Sequence, residues 1–179
     1  PGTISMRVSP DLATIRPVIL GAVVRNVKVD DGLIKRLMEH QEKLHFALGR
    51  GRKRASIGVH DLGAISPPFR VEAVSRDYSF VPLGMENEMS IEEILTNHPK
   101  GTEYAHLLEN MEKVPIILDS NNEVLSFPPI INGDHTTVTN STRDIFIDVT
   151  GLDIRACESA LMLICLQLAV SGGKVEAVR

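Results

Sequence analysis

Apolar positions along the chain switch between short β-branched runs and two longer stretches of helical period. Val18, Leu20, Val23, Val24 and Val27 mark a strand over Arg16–Val29, with Gly21 as a candidate bulge. Asp30-Asp31-Gly32 turns the chain. Leu33, Leu37, Leu44 and Leu48, with Ile34 and Met38, share one face of a helix over 33–48, and Gly49 ends it. Ala55–His60 reads as a short strand. Ser66-Pro67-Pro68 is a turn, and Phe69–Ser75 and Tyr78–Leu83 are two further strands.

The second half repeats the mixture. Ser90 with Glu93 three later forms a capping box, so a helix starts near Ile91. Pro99 breaks it, and a second short helix is predicted over 102–110. Val114–Leu118, the turn residues Asp119–Asn122 and Glu123–Phe127 make a hairpin. Pro128-Pro129 keeps the next stretch out of a central strand position. Asp144–Thr150 is a strand. Asp153 caps a helix over 154–170 that is apolar nearly all round, which predicts a central, buried element. Gly172-Gly173 ends it, and Lys174–Val178 adds a strand. Irregular alternation of helices with hairpins favours an α+β fold, with mixed and antiparallel sheets packed against helices, over a doubly wound parallel sheet.

Composition narrows the class. A chain of 179 residues suits one large domain or two lobes sharing a core, and can fold without a disulfide or metal. The longest apolar run, Ala160–Val170, is too short to span a bilayer and contains Gln167. The N-terminus has no apolar core of a signal peptide, and its opening Pro-Gly-Thr suggests an excised fragment. A cytoplasmic protein is expected. With 23 acidic and 19 basic residues the net charge is −4, which speaks mildly against independent RNA binding. Cys157 and Cys165 lie eight apart, about 12 Å along a helix, which is too far for a bridge. They read as two buried thiols.

Three stretches carry candidate chemistry. Arg50, Arg52, Lys53 and Arg54 follow a helix end between glycines. They serve either the helix dipole or a phosphate-contacting loop. Asn132-Gly133-Asp134-His135-Thr136-Thr137 is dense in hydrogen-bonding groups, yet Asn-Gly-Asp is also ordinary turn chemistry. Alternation in Asp144–Thr150 puts Ile145, Ile147 and Val149 on one face and Phe146, Asp148 and Thr150 on the other. A carboxylate on a central strand belongs at a cleft wall or in a structural network. His60, His106 and His135 have no metal-ligand spacing, so no metal site is expected.

Three segments together resemble one family. Arg52–Asp61 (RKRASIGVHD), Pro128–His135 (PPIINGDH) and Thr142–Gly151 (TRDIFIDVTG) are similar to segments of the phenylalanyl-tRNA synthetase β subunit in its archaeal and eukaryotic cytosolic branch. The resemblance runs from about Arg16 to Ala169, so residues 16–179 are expected to form a B3/B4 editing region and residues 1–15 a linker or extension. It implies an α+β region with a second active site, distant from aminoacylation. That site hydrolyses tRNA(Phe) wrongly charged with tyrosine. The full enzyme is an α2β2 assembly with a separate α subunit, and its ATP and magnesium sites lie outside this stretch. No cofactor is expected here. A non-catalytic module that buttresses the synthetase or docks tRNA is the alternative.

A synthetic pocket for phenylalanine rejects tyrosine's extra hydroxyl only weakly, by on the order of 100-fold, whereas a pocket that bonds the hydroxyl can reject phenylalanine far more strongly. An editing pocket therefore needs a slot for the ring and a polar partner at its end. Asp134, Asp148, Thr150 and Ser126 are the candidate partners, and Leu118, Leu125 and Phe146 the candidate ring walls. Asn132 and Gly133 are candidate substrate contacts, with backbone N–H groups near Gly133 available to an oxyanion. Ester hydrolysis needs only a positioned water, and Asp134 or His135 is the candidate to orient it.

Overall fold

The computed structural model describes residues 2–179. In chain order the strands are β1 (Met6–Val8), β2 (Val18–Arg25), β3 (Ala55–Asp61), β4 (Phe69–Ser75), β5 (Ser79–Phe80), β6 (Met89–Ser90), β7 (Lys113–Leu118), β8 (Val124–Phe127), β9 (Ile131–Asn132), β10 (Ile145–Gly151) and β11 (Lys174–Ala177). The α-helices are α1 (Asp31–Phe46), α2 (Ile91–Asn97), α3 (Pro99–Tyr104) and α4 (Ile154–Val170). One sheet has the order β1-β4-β7-β8-β9, a second β11-β2-β10-β3, and β5 and β6 pair as a two-stranded ribbon. Every pairing within them is antiparallel except β1 with β4. This is the α+β class expected.

Three cores define four layers. Helices α1 and α4 cover one face of the four-stranded sheet through Leu33, Leu37, Ala160, Ile164 and Leu168 against Val24, Ile57, Val59, Ile145 and Ile147. The opposite face meets the five-stranded sheet through Val23 and Phe146 against Phe69, Val71, Ile117 and Leu125. Helices α2 and α3 close the far side over Val114, Ile116, Leu118 and Phe127. The period-two alternation of β10 is thus realised: Ile145, Ile147 and Val149 face the helices, while Phe146 faces the second sheet.

Local signals explain most element ends. Asp30 accepts from Leu33 N at the start of α1, Ser90 and Glu93 form a reciprocal capping box at α2, and Asp153 accepts from Ala156 N at α4. The two thiols lie on the inner face of α4, and burial pushes each up to about 11.

Several expectations need correction. The register of β2 against β10 runs unbroken past Gly21, so no bulge forms there. Pro99 not only ends α2 but opens α3 from its first turn, where its missing N–H is harmless. The helix expected over 102–110 is therefore Pro99–Tyr104, followed by a 3-10 turn over Ala105–Leu108. Residues 2–15 are packed into the domain: β1 pairs with β4, and Ile4 and Leu12 are buried. Helix α4 is an outer helix. Ala156, Cys157, Ala160, Ile164, Cys165 and Leu168 are buried, but Met162, Leu163, Leu166 and Val170 face outward. All-round apolarity does not fix which face finds a partner.

Candidate functional site

The cleft forms where two sheet edges pass each other. Strand β3 ends the four-stranded sheet and β9 ends the five-stranded one. Residues 126–133 run beside Ser56–Val59, and α1 roofs the gap with Ile34, Leu37, Met38 and Gln41. The cleft is open on one side and has a volume of about 410 Å³, with mainly apolar walls. Pro128-Pro129 is a cis turn that leads from β8 into β9, which stays on the sheet edge because a proline pair cannot serve a central ladder.

Asp148 is buried on β10, one strand in from that edge, yet its carboxylate lines the cleft. The reason is its neighbours. Asp148 is opposite Gly21 on β2 and Gly58 on β3. A Cβ on Gly58 would overlap Asp148 Oδ2, so only glycine leaves the carboxylate its place. Oδ2 lies 2.5 Å from His60 Nε2, and His60 Nδ1 lies 2.8 Å from Thr136 Oγ1. The imidazole stacks on Phe146, with ring centroids 5.9 Å apart. All three polar groups are buried, so the chain Thr136–His60–Asp148 ties β10, β3 and the 134–136 turn into one unit.

A second network sits behind the cleft. Arg16 is buried and donates to Thr150 Oγ1 at 2.7 Å, to Thr150 O and Ser56 Oγ, and to the carbonyls of Arg52 and Lys53. These acceptors are neutral. Burial lowers the guanidinium to about 10, while the charge of Asp148 among others acts in the opposite direction. Thr150 is therefore held by Arg16 behind β3 and is not among the lining residues.

The cleft's other end is built on Arg52. Its Nη1 donates to the carbonyls of Pro129 and Ile130 at 3.1 and 2.9 Å, its Nη2 to Glu42 Oε1 at 3.2 Å, and it lies over the Tyr104 ring at 4.1 Å. Arg52 is only 7% exposed. Its expected phosphate contact is thus corrected, because its guanidinium is spent on carbonyls and Glu42. Arg50, Lys53 and Arg54 of the same cluster remain exposed. His45 Nε2 accepts from Ile57 N at 2.8 Å, and burial lowers the imidazole's affinity for a proton. Among the described residues, His45 Nδ1 and Arg52 Nε are the buried side-chain atoms without a hydrogen-bond partner.

The other expected residues divide. Ser126, Asn132 and Gly133 line the cleft with Asp148. Leu118 is buried against α2, and Leu125 and Phe146 lie between the sheets, so none of these three is a wall. The slot is instead lined by Leu37, Ile57, Val59, Pro129 and Ile130. Asp134 Oδ1 accepts from Gly84 N at 2.9 Å, and His135 is exposed; both lie outside the lining. The N–H groups of Gly133 and Asp134 donate to Leu125 O and Val81 O, so neither is free for an oxyanion. His60, Gly58 and Arg16 went unseen as site residues, although the pattern Ser56-x-Gly58-x-His60 carries the same alternation as β10.

A family model described as the B3/4 domain matches residues 16–163. The chain belongs to the B3/4 domain family. The B3/4 domain described here is similar to part of the phenylalanine–tRNA ligase β subunit of Methanosarcina acetivorans, 54% identical over 179 residues, covering 100% of this chain and 33% of that one. The same subunit of Archaeoglobus fulgidus is 46% identical over 177 residues, covering 99% and 32%. An N-terminal fragment of the phenylalanyl-tRNA synthetase β subunit from Pyrococcus horikoshii superposes with a TM-score of 0.96 at 38% identity, covering 99% of this B3/4 domain chain and 52% of that one. The chain thus spans about a third of the length of these curated relatives. No group of three or more metal-ligating side chains is clustered among the described residues, and no helix there is long and apolar enough to cross a membrane.

Proposed function

We propose that this B3/4 domain is the editing module of a phenylalanine–tRNA ligase and hydrolyses the ester of tyrosyl-tRNA(Phe). The observation that carries the reading is the Asp148 carboxylate at the floor of an apolar slot, held through Oδ2 by His60. A carboxylate there accepts a ring hydroxyl. Phenylalanine would cover the same carboxylate without bonding it, and stranding a buried acceptor costs about 1–3 kcal/mol. Ser126 and Asn132 are further polar contacts on the facing wall.

Hydrolysis in this scheme rests on placement. An ester held beside one water in attack geometry gains several kcal/mol from lost freedom alone. Asp134 and His135 flank the wall residues Gly133 and Thr136, so a part for either in placing that water requires the tRNA end to reach the outer side of this wall. The exposed Arg50, Lys53 and Arg54 are the proposed tRNA phosphate contacts. Assembly with an α subunit and the remaining β-subunit domains, in the cytoplasm, follows from the same reading.

Occupied N–H groups at Gly133 and Asp134 favour the rival reading, a docking module without catalysis. Deacylation of preformed tyrosyl-tRNA(Phe) and phenylalanyl-tRNA(Phe) by the full synthetase separates the two. Selective loss of the tyrosyl ester is expected; equal or absent hydrolysis would leave the docking module. Calorimetry should likewise find tyrosine bound more tightly than phenylalanine.

A further inference from the structure

We propose that the outer face of α4 is a docking surface for the remainder of the synthetase β-subunit chain, the two-thirds of the relatives' length that lies outside this domain. The face is made by Met162, Leu163, Leu166 and Val170, at successive turns of the helix. Met162, Leu166 and Val170 are 57%, 55% and 89% exposed. A helix that ends in solvent carries charge on its outer stripe. Here no charged residue occurs between Glu158 and Lys174, so about the last three turns of the helix carry no cation or anion. The inner face of the same helix is already filled, with Ala160, Ile164 and Leu168 packed on β2 and β10, so the outer stripe is surplus to this domain's own core.

Size decides among occupants. Three side chains more than half exposed, with Leu163 at 39%, amount to roughly a few hundred Å², near the limit of what monomers leave bare. A second copy docking through this face alone would bury far less than the roughly 800 Å² per partner of a stable association. A domain on the same chain needs much less, because the linking chain has already paid the entropy of association; interdomain contacts begin at about 600 Å² in total. Apolar complementarity without charges also suits a permanent internal contact better than a transient partner. The occupant is therefore an apolar surface of another β-subunit domain. This inference rests on the family and not on the editing reading.

The test uses the full synthetase. With p-benzoylphenylalanine placed at Leu166, photocrosslinking should join α4 to β-subunit peptides outside this domain. In the unmodified enzyme, peroxide should oxidise Met162 at least about tenfold more slowly than in the unfolded chain. Crosslinks to α4 of a second copy or to a different polypeptide would overturn the proposal. So would Met162 oxidation within about threefold of the unfolded rate, which would mean an open face.

Discussion

Asp148 and Gly58 stand opposite each other in the β10–β3 ladder, and the missing side chain of Gly58 is what lets a carboxylate one strand in from the edge reach the cleft. The edge strand acts as a window at that one position. Gly58→Ala would close it, since the added methyl overlaps Asp148 Oδ2 and crowds His60 Nε2. The expected outcome in the full synthetase is a loss of tyrosyl-tRNA(Phe) deacylation of about 5- to 150-fold, the equivalent of about 1–3 kcal/mol for a displaced polar partner. Phenylalanine charging should not change. Deacylation at the wild-type rate would show that the carboxylate does not serve the ester.

Asp148→Ala removes the same group without adding bulk. Tyrosyl-tRNA(Phe) should then accumulate during charging assays while phenylalanylation is spared. His60 would be left buried with Thr136 as its remaining partner, so a fall in stability of about 1–3 kcal/mol is also expected. Melting temperature and deacylation should be read from one preparation. Unchanged hydrolysis in a destabilised variant would make the Asp148–His60 pair a structural tie only.

The basic cluster predicts two different phenotypes from adjacent residues. Arg50, Lys53 and Arg54 are exposed, and replacing all three by Ala should flatten the salt dependence of tRNA binding by about 2–3 in log–log slope. Arg52→Ala should leave that slope alone. It removes the donor to Pro129 O, Ile130 O and Glu42, and should destabilise the domain by about 2–4 kcal/mol in chemical denaturation. A slope change on Arg52→Ala with stability intact would return it to the tRNA surface.

How much of this was legible in the sequence depends on the range of the signal. Strands β3, β4, β7, β8 and β10, helices α1, α2 and α4 and the caps at Ser90 and Asp153 are written in local periodicity and capping chemistry. The short strands β1, β6 and β9 have three residues or fewer and exist only through their partners. Asp148 was legible because alternation placed it on the face away from Ile147. The His60 bond was not, since it joins residues 88 apart through a register that no single strand encodes. Arg52 misled for the opposite reason: four cations in five residues look like one surface, but this side chain folds inward onto Pro129 O, Ile130 O and Glu42, acceptors that are distant in sequence or hidden from local pattern.

His45 gives a prediction on pH. Its Nε2 accepts from Ile57 N and its ring is buried, so the folded state takes up a proton less readily than the unfolded chain, whose imidazole titrates near 6.5. Above that value both states are neutral and His45 adds no pH dependence. As pH falls below about 6.5 the unfolded state binds a proton that the folded state refuses, and stability drops by up to 1.4 kcal/mol or so per pH unit until the lowered folded value is reached. His98 is lowered as well, chiefly by burial, and contributes in the same direction. His45→Gln isolates the first contribution, because the Gln carbonyl can accept from Ile57 N but does not titrate. Denaturant unfolding at pH 8, 6 and 5 should therefore show a shallower acid loss for the Gln variant than for the native domain. Parallel curves would mean that His45 becomes protonated in the folded state, with the nearby Glu42 carboxylate, 3.4 Å from Nδ1, turning to meet the charge.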